Sequence, residues 1–171
     1  MRHLLIMRHA KSDWDTGAKS DFDRPLSKRG KRDAPRMGQW LLENKLIPDW
    51  ILSSPALRAK ETALHVCKAL GIKTDAIHWQ PAIYEAELKS LLGVLAQCPK
   101  DKQLTLLIGH NPGLESLLDY LAEGTTAFPA NKKRIPTAAI AYLALPNDWD
   151  AFDRGRGKLK ALTYPKALPD A

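Results

Sequence analysis

The sequence predicts an α/β fold, a three-layer sandwich in which a mostly parallel central sheet carries helices on both faces. Two observations point there. Short, continuously apolar runs, the pattern of strands buried on both sides, alternate with segments of helical periodicity. Two of those runs also lead straight into a polar residue followed by proline, a device that opens helices.

The first run, Leu4-Leu5-Ile6-Met7, begins almost at residue 1 and suits a central strand. The polar stretch from Lys11 to Pro25 reads as a loop. Ser27 is placed to cap a helix with apolar positions at Ala34, Met37, Trp40 and Leu41, although Gly30 and Pro35 weaken its start. Trp50-Ile51-Leu52 is a second strand, and Ser53-Ser54-Pro55 after it reads as a capped helix start. That helix carries Ala63, Val66, Cys67 and Leu70 at i, i+3, i+4 and i+7 and stops at Gly71. A strand over Ala76 to Trp79 and a helix with Leu88, Leu91, Leu92 and Leu95 on one face follow. The run 104–108 is another fully apolar strand, and Asn111-Pro112 repeats the capping device ahead of Leu114, Leu117, Leu118 and Leu121. Beyond Gly124 lies an irregular basic loop, then two late strands, Ala138 to Leu145 and Leu159 to Tyr164. Strand and helix in this alternation imply right-handed crossovers. A single domain is expected over 1–171.

The chain has 171 residues, 44% hydrophobic and 26% charged, the composition of an ordinary globular protein rather than a disordered one. No stretch approaches the ~20 apolar residues of a membrane helix, so no membrane partner is expected. The N-terminal residues return to charge too soon for a signal peptide, and Cys67 and Cys98 have neither disulfide-framework nor metal-ligand spacing. The cytoplasm is the expected compartment, with no cofactor and no metal.

A formal net charge of +7 is concentrated in two places. Between Lys19 and Arg36 stand Lys19, Arg24, Lys28, Arg29, Lys31, Arg32 and Arg36, against Asp21, Asp23 and Asp33. From Lys132 to Lys166 a second group holds eight basic residues against three acids. Neither cluster is interleaved with an aromatic platform, so nucleic acid is not expected as a partner, and a solvated basic face is the plain reading.

In an open α/β sheet, ligands bind outside the carboxyl ends of the strands. The first strand delivers Arg8-His9 there. The second delivers Ser53-Ser54-Pro55 and, one turn on, Arg58. The strand 104–108 delivers Gly109-His110-Asn111. Singly, each of these residues has a structural explanation: His9 as a satisfied buried histidine, Arg58 on a helix surface, His110 in a cap loop. Together they send two arginines and two histidines to one edge, beside two helix N-termini. The natural guest of such a pocket is a phosphoryl group.

These same residues carry a family resemblance. The stretch 5–12, around Arg8-His9, resembles the opening signature of the histidine phosphatase superfamily, the group related to phosphoglycerate mutase. The stretch 53–63, around Arg58, resembles its second arginine motif, and 108–112, around His110, its second histidine motif. Within the superfamily the chain is most similar to the small phosphohistidine phosphatases of the SixA type. The features are Ala10-Lys11-Ser12-Asp13-Trp14, the run 23–27 with Gly30, the short length, and the segment from Leu159 to Leu168 around Pro165. The match runs from residue 3 to about 168. Ala10 stands where the superfamily motif has glycine; alanine is usual in the SixA-type branch and implies a backbone there that tolerates a Cβ.

Chemistry and resemblance together imply a phosphatase without metal, in which neutral His9 attacks phosphorus to give a covalent phosphohistidine that water hydrolyses. The second ring nitrogen of His9 should donate to a backbone carbonyl. Arg8, Arg58 and His110 would bind the phosphoryl oxygens. Glu85 is the candidate proton donor, with Glu87 second; both equally suit a plain role at the start of the following helix. The implied substrate is phosphohistidine on a protein, since its imidazole leaving group departs without a strong acid. Two alternatives stay open: a phosphomonoesterase acting on small molecules from the same pocket, and a non-catalytic basic binding module.

Overall fold

The computed structural model describes residues 1–14, 17–122, 135–149 and 152–169. The basic loop expected beyond Gly124, with Lys132, Lys133 and Arg134 of the second cluster, lies outside the described residues. The elements in order are β1 (Arg2–Arg8), α1 (Lys28–Glu43), β2 (Trp50–Ser53), α2 (Leu57–Leu70), β3 (Ile77–Trp79), α3 (Leu88–Ala96), β4 (Leu104–Gly109), α4 (Gly113–Leu121), β5 (Ile140–Leu145) and β6 (Lys158–Thr163). Short 3-10 turns lie at Asp21–Asp23, Thr74–Ala76, Pro81–Ile83 and Pro165–Ala167.

The sheet order is β3-β2-β4-β1-β5-β6. β1, β2, β3 and β4 pair in parallel, while β5 joins β1, and β6 joins β5, antiparallel. β1 therefore sits between two neighbours, and Leu4, Leu5, Ile6 and Met7 are all fully buried. Its side chains alternate between two cores. Leu5 and Met7 pack with Ala34, Met37 and Leu41 of α1 and with Ala63 and Val66 of α2. Leu4 and Ile6 pack with Leu91 and Leu95 of α3 and with Leu114, Leu117 and Leu118 of α4. The sheet is thus the middle of three layers, as the apolar runs predict. Among the described residues no helix is long and apolar enough to cross a membrane.

Helix α1 starts as expected, with the Ser27 hydroxyl accepting from Gly30 N at 3.2 Å. Gly30 is there for contact: a Cβ at this position would collide with the carbonyl oxygen of Lys11, so its absence seats the helix against the loop leaving β1.

The other two caps differ from expectation. α2 begins at Leu57, two residues after Pro55, and α4 at Gly113, and neither has a side-chain cap bond. Ser54 Oγ accepts instead from Ala56 N at 3.2 Å, and Asn111 Nδ2 donates to the Ile135 carbonyl at 2.9 Å. Asn111 is thus engaged by tertiary structure, while Ser54 holds the backbone just ahead of α2.

Candidate active site

The parallel register sets three strand ends side by side. Arg8 lies opposite Gly109, and Ser53 opposite Ile108. His9 N continues the ladder, donating to Gly109 O at 3.1 Å. The residues that follow β1 and β4 are therefore neighbours: the rings of His9 and His110 have centroids 5.1 Å apart. Arg58, the second residue of α2, is buried and comes to the same place. A cavity of about 300 Å³ is lined by Arg8, His9, Arg58 and His110 together, with Lys11 and Arg24 among its other walls.

His9 is 6% exposed. Its Nδ1 lies 2.8 Å from the carbonyl oxygen of Ala10. A carbonyl only accepts, so Nδ1 carries the proton and Nε2 keeps its lone pair. The backbone that makes this bond is itself held, because Ala10 N donates to Thr62 Oγ1 at 3.0 Å and Thr62 Oγ1 donates to Arg58 O at 2.7 Å. Left-handed backbone among the described non-glycine residues occurs at Lys45, Glu85 and Ala138, so Ala10 carries its Cβ without that strain. Burial above all, then His110, Arg58 and Arg8, pushes the His9 imidazole down to about 3, against the opposing pull of the Ala10 carbonyl. Burial, followed by the charge of Arg58, brings His110 down to about 4. Both rings are neutral near pH 7.

His110 Nε2 lies 2.8 Å from Ser54 Oγ. Arg8 Nη1 donates to the Ile135 carbonyl at 3.3 Å. Arg58 is held by Asp21, donating from Nη1 to its backbone oxygen at 2.7 Å and from Nη2 to Oδ2 at 3.0 Å. Tyr84 Oη donates to the same Oδ2 at 2.7 Å, and Arg24 Nε to Oδ1 at 3.1 Å. Burial alone would raise the Asp21 carboxyl, but the bonds from Tyr84, Arg58 and Arg24 outweigh it and hold the group down at about 2. Arg8 Nε, Arg58 Nε and His110 Nδ1 are buried with no hydrogen-bond partner among the described residues. Buried polar groups are normally bonded, and these three unpaired nitrogens belong to residues that line the same cavity.

All four residues expected at the strand ends thus share one cavity. Glu85 and Glu87 do not: both are exposed and line an adjoining cavity of about 460 Å³, which shares Arg58 and His110 with the first. The backbone of Glu85 is left-handed, with φ +55°. Sequence reasoning missed Asp21, Arg24 and Tyr84 as parts of the site, and it brought Ser54 to the right edge only as a helix cap, without its contact to His110. Their signal was weak, because Asp21 and Arg24 sit inside a charge cluster and act by folding back over the sheet edge.

The two histidines make stability depend on pH. Each is held neutral in the fold, whereas in the unfolded chain each gains a proton below about 6.5. The unfolded state therefore binds more protons as pH falls, and stability declines from about pH 6.5 towards 3–4. Urea unfolding should give a lower midpoint at pH 4.5 than at pH 7, His9 alone accounting for roughly 2 kcal/mol. The pH slope should flatten in a His9→Gln variant; an unchanged slope would contradict this origin.

A model of the histidine phosphatase superfamily (branch 1) matches residues 4–97. An uncharacterised protein of Mycobacterium tuberculosis is 32% identical over 164 residues, covering 94% of this chain and 100% of its own. The phosphohistidine phosphatase SixA of Escherichia coli is 29% identical over 144 residues, 83% of this chain and 84% of its own. The solved structure of the protein histidine phosphatase SixA complexed with tungstate matches with a TM-score of 0.80 at 26% identity, covering 96% of this chain and 97% of that one.

Proposed function

The chain belongs to the histidine phosphatase superfamily (branch 1), and from that premise we propose that it removes the phosphoryl group from phosphohistidine on a protein, with His9 as the nucleophile. The carrying observation is the state of His9. It is neutral, oriented by the Ala10 carbonyl, and shares one cavity with Arg8, Arg58 and His110. The SixA structure is a complex with tungstate, a tetrahedral oxyanion, and that supports a phosphoryl group as a ligand of this chain.

In this reading the Nε2 lone pair of His9 attacks phosphorus in line. The phosphorus–nitrogen bond to the substrate breaks, and its imidazole leaves with the bonding pair, neutral because its remote nitrogen already carries a proton. Positive charge develops on the His9 ring, and the Ala10 carbonyl faces it at Nδ1. Arg8, Arg58 and His110 meet the three oxygens of phosphorus as their charge spreads. Water then attacks the phosphorylated His9 and releases phosphate.

An alkyl ester leaves as a poor alkoxide and needs an acid. Glu85 and Glu87, in the adjoining cavity, are the candidates for that role, and their position favours small esters as the second reading. The comparison that separates the two is kcat/KM for a phosphohistidine-bearing protein against that for sugar phosphates. We expect the protein to lead by about a hundredfold, the order of a missing general acid. A lead for the esters would overturn the reading.

A further inference from the structure

One residue of the second basic cluster, Lys166, lies against the first, which the candidate site uses only in part. Arg29, Arg32 and Arg36 stand on one stripe of α1 at i, i+3 and i+7, and Lys166 joins them from the turn after β6. Together they line a cleft of about 570 Å³. Its acid is Asp33, 2% exposed, whose carboxylate lies 3.5 Å from Arg29 Nε, 3.2 Å from Arg32 Nε and 3.6 Å from Arg36 Nη1. Among the described residues that line the cleft, four cations stand against one carboxylate, an excess of three positive charges. Guanidinium groups gathered so closely repel one another, and further anionic groups relieve that repulsion.

The cleft lies at the working end of the sheet. β6 is antiparallel to β5, and β5 to β1, so β6 points the same way as β1. Thr163 stands opposite Ile140, and Ile140 opposite Met7. The end of β6 is thus level with the end of β1, two strand spacings or about 10 Å away. Helix α1 also starts at this edge: Ser27 N donates to Lys11 O at 2.9 Å, and Lys11 lines the cavity with His9. A protein partner covering the usual ~800 Å² spans about 30 Å, enough to reach both places at once.

We propose that this cleft docks an acidic segment of the protein substrate, gripping carboxylates near the phosphohistidine while the phosphoryl group sits beside His9. The proposal rests on the phosphohistidine reading of the site. A protein is favoured over nucleic acid because none of the described residues lining the cleft is an aromatic on which bases could stack.

The test uses two synthetic phosphohistidine peptides, identical except that one is flanked by glutamates and the other by glutamines, together with free phosphohistidine. The variant is Arg29→Gln with Arg32→Gln and Lys166→Gln, which leaves Arg36 to pair with Asp33. At low salt the unaltered enzyme should favour the glutamate peptide about tenfold in kcat/KM, mostly through KM, and added salt should erase the preference. In the variant the preference disappears while free phosphohistidine is hydrolysed at the unaltered rate, which also reports that the fold is intact. Equal turnover of the two peptides by the unaltered enzyme overturns the docking site alone, as does a preference that survives in the variant. Tighter binding of single-stranded RNA than of the glutamate peptide by the same arginines also overturns it, in favour of nucleic acid. If the unaltered enzyme hydrolyses none of the three substrates, the phosphohistidine reading itself falls and takes the docking site with it.

Discussion

Replacing His9 with alanine should lower phosphatase turnover on the order of 10⁴–10⁶-fold, the scale of losing a nucleophile. Incubated with a ³²P-labelled phosphohistidine substrate, the unaltered enzyme should yield an acid-labile labelled protein, and the variant none. Phosphate binding should change far less, by under about tenfold, because Arg8, Arg58 and His110 keep their positions. Their anchors, the Ile135 carbonyl, Asp21 and Ser54, do not involve the His9 ring. The split between turnover and binding separates an attacking group from a mere ligand contact. A basic binding module would bind phosphate equally well with or without His9 and would turn over nothing in either form. Label that persisted after the substitution would place the covalent step elsewhere.

Arg58→Ala should cost on the order of 10²–10³ in kcat, the scale of removing one donor aimed at developing charge. Arg58→Lys should recover little of it. The two Nη atoms of Arg58 hold Asp21, while its buried Nε has no partner among the described residues. A guanidinium can keep Asp21 and still offer a further N–H to a phosphoryl oxygen, because its donors form a rigid fork. An ammonium is a single point and must choose between them. Asp21→Asn gives the complementary comparison. It keeps a side chain that can accept from Arg58 but removes the charge, so the loss should be smaller, within about tenfold. A lysine variant working as well as the arginine enzyme would remove bidentate geometry from the explanation.

Much of this was legible in the chain because it depends on local pattern. Leu4-Leu5-Ile6-Met7 reads as a strand buried on both faces, and the rule for strand ends then points to Arg8 and His9 without any knowledge of what pairs with what. His110 and Arg58 follow by the same rule. What stayed hidden depends on distant partners. Ser54 and Asn111 have the chemistry of helix caps, but the fold engages them with His110 and Ile135. Asp21 meets Arg58 across 37 positions, and nothing in its immediate neighbours announces that contact. The antiparallel direction of β5 and β6 depends on where the chain re-enters the sheet, which periodicity does not encode.

The central place of β1 also governs how the protein is made. Its partner β4 pairs His3 with Leu104, so during synthesis about a hundred residues must follow before that edge is covered, and β5 comes later still. At ~5–20 residues per second the apolar ribbon leaves the ribosome several seconds ahead of its neighbours. A nascent chain short of β4 can pair neither side of that ribbon and has no second histidine to set beside the first. Covering of the apolar ribbon and assembly of the Arg8, His9 and His110 edge therefore wait on the same late segment of the chain.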